Sequence, residues 1–328
     1  MPTPVFIQYK PKTANETTRA IKCYEKQKKL EKPTRREDME TVLKFNSHVL
    51  PKIDLGNVEE LCEKKKKCLQ PFVKIHPLIT TSPKRKLATC LVQKTMSTVL
   101  SSLMCYLDQP NVFLAAGRNL LYEHSEIRFC SGQNEFSSIA KMQKKLRITG
   151  RELFDWTFLM MTREPVDRFL SGFIHQCIRE GHPCYGCGSN MTCFLERELA
   201  RATRFSSSGE PRVSNVDIHI YPQNWRCELE TYVDKYKLLQ YSNNRTNMIN
   251  QLVHVLRTHH VPEENLIYIS KTLESGRTIH ATIESPARKF LEKRLRSSSY
   301  LIQMIIRMFY FDFKLLHYDL PVGETRGD

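Results

Sequence analysis

Arg163-Glu164-Pro165-Val166-Asp167-Arg168-Phe169-Leu170-Ser171-Gly172-Phe173 decides the fold. It follows Trp156-Thr157-Phe158-Leu159-Met160-Met161-Thr162, an apolar run bounded by polar residues, which predicts a buried strand. Pro165 stands where a first helical turn tolerates proline. Phe169, Phe173 and Ile174 then recur at helical spacing. The reading is a strand, a tight turn, and a helix whose N-terminus faces whatever Arg163 and Ser171 hold. A guanidinium and a hydroxyl near a helix N-terminus suit an anion. A capped helix carrying a surface arginine is the plainer reading of this stretch alone.

A second stretch upstream has the same form. Lys86 to Val92 reads as a strand, Gln93-Lys94-Thr95-Met96-Ser97-Thr98 as a polar turn, and Val99 to Leu107 as a mostly apolar helix. Lys94 and two hydroxyls therefore sit where helix N–H groups face outward and favour a phosphate. The Walker pattern is not met. No glycine flanks the loop, and Lys94 precedes Ser97 and Thr98 by more than one residue. Two strand–loop–helix units predict an α/β fold, with a mostly parallel central sheet flanked by helices and ligand sites at the carboxyl ends of the strands.

Composition narrows the partner. The chain has 328 residues, 41% of them hydrophobic, and a formal net charge of +15. That charge points to an anion: nucleic acid, a phosphorylated ligand or an acidic polysaccharide. No zinc-finger, helix-turn-helix or RRM signature supports nucleic acid. Residues 1–75 are charged and weakly patterned, with basic runs at Lys26–Lys29 and Lys64–Lys67, and read as a peripheral stem. Helices are expected there over Glu37–Leu50 and Val58–Leu69. Residues 76–328 form the main domain.

There are 11 cysteines. Cys177, Cys184, Cys187 and Cys193, with His175 and His182 among them, read as a disulfide-pinned loop in an oxidising compartment. Zinc is the alternative in a cytosolic chain. No run of 18 apolar residues is present, and the N-terminal apolar run is too short for a signal peptide. Asn15, Asn190 and Asn244 begin N-glycosylation triplets.

Further on, residues 205–216 read as an exposed loop. Asp217 to Cys227 reads as irregular, with His219 beside aromatics a candidate base. Tyr236 to Tyr241 reads as a strand and Met248 to Leu256 as an amphipathic helix. Pro286 to Phe309 reads as one long helix, closing on Tyr310 to Tyr318 packed against the sheet.

These segments resemble the Golgi carbohydrate sulfotransferases of the chondroitin/dermatan type, which use the sulfonate donor PAPS (3′-phosphoadenosine-5′-phosphosulfate). Val92 to Thr98 is similar to the family's 5′-phosphosulfate loop. Arg163-Glu164-Pro165 through Arg168 and Ser171-Gly172-Phe173 match its 3′-phosphate motif. Asp217-x-His219 with Pro222-Gln223 and Cys227, and Tyr310-x-Asp312-Phe313 with Leu316 and Tyr318, resemble its later segments. Gln93 replaces the family's proline, and Met96 stands where a small residue is usual.

The resemblance implies transfer of a sulfuryl group to a hydroxyl of a chondroitin-like glycosaminoglycan. Lys94 and His219 would be catalytic, with Glu123 and Glu126 as alternative bases. Gln93, Lys94, Thr95, Met96, Ser97, Thr98, Arg163 and Ser171 would bind the donor, and no metal is expected. It also implies the Golgi lumen and membrane association, although no anchor is visible in the chain. A catalytically weak relative that grips polyanionic glycan is the alternative that Gln93 and Met96 suggest.

Overall fold

The computed structural model describes residues 58–75, 78–123, 128–242, 244–276 and 286–321. Five strands, β1 (Ile79–Ser82), β2 (Leu87–Cys90), β3 (Glu135–Phe136), β4 (Thr157–Thr162) and β5 (Tyr236–Gln240), form one sheet in the order β3-β1-β2-β4-β5. Neighbours β2, β4 and β5 run parallel, and β1 and β3 extend the sheet antiparallel beyond β2. The helices in chain order are α1 (Ser97–Asp108), α2 (Pro110–Ala115), α3 (Ile139–Leu146), α4 (Pro165–Phe173), α5 (Met191–Ser208), α6 (Asn215–Ile220), α7 (Leu229–Tyr232), α8 (Arg245–Thr258), α9 (Glu263–Ser275), α10 (Pro286–Arg296) and α11 (Ser299–Leu315).

Strand β4 is buried on both faces, which is why it reads as a continuous apolar run. Its alternate residues serve different layers. Leu159 and Met161 pack with α1, α8 and α9, whereas Phe158 and Met160 pack with Ala88, Cys90 and Phe136. A further apolar cluster joins α4, α5 and α11 through Phe169, Phe173, Phe194 and Phe309. Burying each such ring stabilises the fold by roughly 1.5–3 kcal/mol. Val58, Cys62, Cys68, Leu69 and Ile75 lie in the same cluster, so packing already involves residues 58–75.

Several local expectations change. The long helix from Pro286 breaks after Arg296, because the Ser298 side chain accepts the Leu301 N–H and starts α11 as a new helix. Part of the expected loop at 205–216 is helical: α5 runs to Ser208 and stops at Gly209, whose φ of 75° suits a left-handed cap. The His219 segment is α6, started by a capping box between Ser214 and Asp217. Over Val58–Leu69, Val58 and Glu59 are helical and lead into a π turn at Glu60–Lys64, whose Cys62 is disulfide-bonded to Cys68. The helix expected over Glu37–Leu50 and the Asn15 triplet lie outside the described residues. Asn190 and Asn244 cap α5 and α8 with their side chains.

The cysteine cluster pairs locally, Cys177 with Cys184 and Cys187 with Cys193, so no thiol of the four is left for zinc. Cys105–Cys130 and Cys90–Cys227 complete the disulfides among the described residues. Cys90–Cys227 ties the end of β2 to the segment after α6 across 137 residues. Closing so long a loop stabilises the folded state by about 5 kcal/mol in the chain-entropy account. Among the described residues no helix is long and apolar enough to cross a membrane.

Candidate active site

Lys94, Arg163 and Tyr241 follow the carboxyl ends of the adjacent parallel strands β2, β4 and β5. Ligands in open α/β sheets bind at such ends. The β2 loop is shaped by its backbone. Thr95 is fully buried, and both its N–H (3.3 Å) and its hydroxyl (2.8 Å) donate to the Val92 carbonyl. Lys94 and Met96 then adopt left-handed conformations, with φ of 70° and 64°. For side chains other than glycine this costs roughly 1–2 kcal/mol each. Such strain concentrates where backbone N–H groups must converge on a ligand. Helix α1 starts at Ser97 with no side-chain cap, so the N–H groups of its first turn keep their donor capacity for an anion. Thr95 therefore braces the turn, and the outward donors belong to Met96, Ser97 and Thr98.

Gln93 is held by two buried arginines. Arg168 donates from Nε to the Gln93 carbonyl (3.0 Å) and from Nη1 to the carbonyls of Ile220 (3.0 Å) and Tyr221 (2.9 Å). Arg226 donates from Nη2 to the Gln93 side-chain oxygen at 2.8 Å and to the Ile218 carbonyl. Gln93 thus serves as a side-chain brace of the loop. Burial lowers the Arg168 and Arg226 pKa to about 10 and about 9. Both stay charged at neutral pH and give the loop a positive floor.

The Lys94 ammonium is desolvated and lies near Arg163 and Arg179, which brings its pKa down to about 7. Glu180 acts in the opposite sense on it. Among the described residues no carboxylate forms an ion pair with Lys94.

Arg163 is far more constrained. Its Nε pairs with Asp167 at 2.6 Å, its Nη1 donates to the Lys94 carbonyl at 3.0 Å, and its guanidinium lies 4.5 Å from the Tyr241 ring centroid. Asp167 also receives Arg288 of α10. These two guanidiniums outweigh burial and hold the Asp167 carboxyl below its usual range. Among the described residues no protein group bonds Arg163 Nη2, which leaves that corner for an anion. The Arg163 backbone is pinned through Gln223, whose amide accepts its N–H (3.0 Å) and donates to its carbonyl (2.8 Å). The Asp312 carboxylate in turn accepts N–H from Gln223 and Asn224 at 2.8 Å each, and the Asn224 side chain at 2.7 Å. Tyr318 bonds Thr162 at 2.9 Å. Helix α4 itself is capped by Glu164, which accepts the Asp167 N–H at 2.6 Å, and Ser171 is buried within it.

His219 sits on α6 beside this loop. Its Nδ1 faces the Asn215 carbonyl at 2.7 Å, so Nδ1 carries the proton and Nε2 keeps its lone pair. Burial chiefly, with repulsion from Lys94, Arg168 and Arg226, lowers its pKa to about 3. It is a neutral imidazole with an open Nε2 lone pair, and the same burial and cations weaken it as a base in the free protein. The close packing that places it depends on Gly172: a Cβ there would lie 2.6 Å from Ile220 Cδ1 and 2.9 Å from the His219 carbonyl oxygen. Of the alternative bases, Glu123 is 2% exposed and already binds the Phe129 N–H and Arg118, and Glu126 lies outside the described residues.

Sequence reasoning singled out Lys94, Arg163, Ser171 and His219 but missed Arg168 and Arg226 as loop braces, and Gln223 and Asp312 as the support of Arg163. The Ser214-x-x-Asp217 pattern was available as a sign that His219 is helical. Nothing local pairs Gln93 with Arg226.

Three Caenorhabditis elegans proteins are similar to this chain. The protein named "Uncharacterized protein C18B2.2" is 37% identical over 293 residues, 87% of this chain and 82% of its own length. The "Putative sulfotransferase vep-2" is 35% identical over 263 residues, 78% of this chain and 81% of its own. The "Carbohydrate sulfotransferase chst-1" is 29% identical over 264 residues, 77% of this chain and 79% of its own. No solved structure matches the chain significantly. Residues 77–319, which contain the Lys94 loop, the Arg163 helix, His219 and Asp312, match the Sulfotransferase family, and the chain belongs to it.

Proposed function

We propose that this protein moves a sulfuryl group from PAPS to a hydroxyl of a glycosaminoglycan-type glycan with a chondroitin-like backbone. The observation that carries this reading is the joint construction of two anion sites: Arg163 Nη1 bonds the carbonyl of Lys94 itself at 3.0 Å. Two anionic groups of one ligand can be held there at fixed separation. The fit to a bis-phosphorylated donor rests on the uncapped start of α1 and the unbonded Arg163 Nη2.

PAPS supplies an activated sulfuryl group on a phosphate leaving group. The N–H groups of Met96, Ser97 and Thr98, with the two hydroxyls, bind the 5′-phosphate. Gln93 and Thr95 hold the loop in shape. The Lys94 ammonium neutralises charge growing on the bridging oxygen. Arg163 with Ser171 holds the 3′-phosphate. His219 takes the acceptor hydroxyl's proton at Nε2 and passes positive charge to a ring whose Nδ1–H stays on Asn215. Bound phosphates offset the cations that depress the His219 pKa and so strengthen it as a base. The +15 charge suits an acidic glycan, and no metal enters the scheme. Residues 76–328 would be the catalytic domain and residues 1–75 a stem whose last part, residues 58–75, packs into that domain's core. The disulfides and the "Carbohydrate sulfotransferase chst-1" relative favour a Golgi-type lumen, with membrane association and N-glycosylation as parts of the same proposal.

Transfer of labelled sulfate from PAPS to desulfated chondroitin tests this. Transfer lost in Lys94→Ala is the expected result. Normal donor binding with no transfer across a panel of glycan acceptors would leave the protein a polyanion binder instead.

A further inference from the structure

Helix α4 does not stop at Phe173. It continues directly into a π-helical turn, Ile174–Arg179, which changes the direction of the side chains that follow. Single π turns within helices occur frequently at functional sites. Here the turn brings His175 against His219, with ring centroids 5.9 Å apart and planes inclined by 24°. Asn215, whose carbonyl holds His219 Nδ1, also donates from Nδ2 to the Gln176 side-chain oxygen at 3.5 Å. Gln176 donates from Nε2 to His175 Nδ1 at 2.9 Å. That bond leaves the His175 ring proton on Nε2, which faces Glu180 Oε1 at 3.6 Å. His175 and Gln176 are 8% and 1% exposed, whereas the Glu180 side chain is 50% exposed. The Cys177–Cys184 disulfide closes the segment that carries Glu180. A chain of hydrogen bonds therefore runs from the base through Asn215 and Gln176 to His175, whose ring makes a looser 3.6 Å contact with a carboxylate open to solvent.

Stability alone gives little reason for this chain, because a half-exposed histidine–carboxylate contact contributes almost nothing. Position gives a better one. Glu180 is the carboxylate that favours the charged form of Lys94, on a site otherwise lined by Arg163, Arg168, Arg179 and Arg226. An acidic oxygen among cations would oppose a sulfate or carboxylate and accept a hydrogen bond from a neutral hydroxyl.

We propose that Glu180, oriented by His175, binds a hydroxyl of the acceptor sugar adjacent to the one that reacts. The reacting hydroxyl is then directed at His219 Nε2, and the residue modified is one whose neighbouring hydroxyl is free. Sulfated or uronate groups of the glycan bind on the basic surface away from Glu180. This rests on the sulfotransferase reading above and adds acceptor selectivity to it.

The test uses the full chain and the variants Glu180→Gln, Glu180→Asp and His175→Gln. Steady-state transfer is measured on an unsulfated acceptor and on the same acceptor already sulfated beside the target. Binding of adenosine 3′,5′-bisphosphate is measured separately by melting shift. Glu180→Gln is expected to raise the KM of the unsulfated acceptor roughly tenfold or more, the effect of losing a hydrogen bond to a charged group. It should narrow the gap between the two acceptors and leave nucleotide binding unchanged when measured at about pH 6, where Lys94 is charged. Glu180→Asp restores part of the loss, and His175→Gln gives a smaller rise in KM. Unchanged acceptor KM and selectivity in Glu180→Gln, or a parallel loss of nucleotide binding, overturns the assignment. A wild-type chain that binds nucleotide yet transfers to no acceptor overturns the sulfotransferase reading itself.

Discussion

Arg163 and Lys94 leave neighbouring parallel strands, yet among the described residues the Arg163 side chain is fixed through Nε, Nη1 and the Tyr241 ring, whereas no ion pair or hydrogen bond fixes the Lys94 ammonium. Arg163 has Asp167, the Lys94 carbonyl, the Tyr241 ring and the Gln223 amide around it. Its supports extend to Asp312, which is fully buried and accepts three N–H donors. Lys94 has a strained backbone, a desolvated ammonium and cations for neighbours. One side is fixed before any ligand arrives, with Nη2 left to meet it; the other carries a charge that Glu180 offsets in part and an incoming anion would balance. A site of this kind places its fixed geometry where recognition is needed and its unbalanced charge where negative charge develops.

The sharpest way to break that contrast is to remove each side in turn. Lys94→Ala should lower kcat by roughly 10²–10³, as loss of a preorganised transition-state donor does. Its thermal midpoint should not fall, because a desolvated charge among like charges contributes nothing favourable to the fold. Calorimetry beside the transfer assay checks both, and a destabilised variant would mean that Lys94 is a structural ligand of the loop. Asp312→Asn should do the reverse. It puts an amide against buried N–H groups and costs about 3 kcal/mol of stability, read as a lower denaturant midpoint. Burial raises the Asp312 pKa, with the accepted N–H groups opposing the rise, so the carboxylate depends on those bonds.

Arg163→Ala should weaken adenosine 3′,5′-bisphosphate by roughly tenfold to a hundredfold, the range for a charged hydrogen bond. Adenosine 5′-phosphate should lose little. Titration of both nucleotides decides it, since equal losses would show that Arg163 shapes the Lys94 loop and does not read a second phosphate. Gly172→Ala tests the α4–α6 contact that seats His219. The added methyl meets a backbone oxygen at 2.9 Å, which cannot swing aside as a side chain can. About 1–3 kcal/mol of overpacking strain follows. The readout is a fall in kcat of about tenfold with nucleotide affinity retained.

How far the sequence foretold this contrast follows from what each side is made of. Arg163 precedes a proline at a helix start and follows an apolar strand, so its position was legible from its neighbours alone. The Lys94 loop was legible as strand, polar turn and helix, but not its left-handed residues, since Lys and Met carry no such preference. The supports of Arg163 were not legible because Gln223 and Asp312 act across distances in sequence that periodicity does not register. The same holds for Gln93, which finds Arg226 far along the chain. The π turn has no residue signature, so His175 and Glu180 looked like part of a cysteine-rich loop. The serine cap at Ser298 was visible, but the apolar residues on both sides kept one helical period and hid the break.

The smallest expected effect separates the two sides by pH. Burial and the nearby Arg163 and Arg179 bring the Lys94 pKa to about 7 in the free protein. Bound phosphates favour its charged form and raise that value, so nucleotide binding takes up a proton. Affinity is then complete below about pH 7 and declines above it, by at most about tenfold per pH unit. The phosphates' own second ionisation, near pH 6, adds negative charge as pH rises and works the other way. A decline between about pH 7 and 8 therefore belongs to the protein. His219, at about 3, is neutral throughout and contributes no change there. Lys94→Arg keeps its charge at all these pH values and should flatten the profile. Adenosine 3′,5′-bisphosphate titrated calorimetrically in two buffers of different ionisation enthalpy counts the proton directly. No proton uptake by the wild type near neutral pH would mean that the Lys94 ammonium does not meet the nucleotide, and that the open side of the site lies elsewhere.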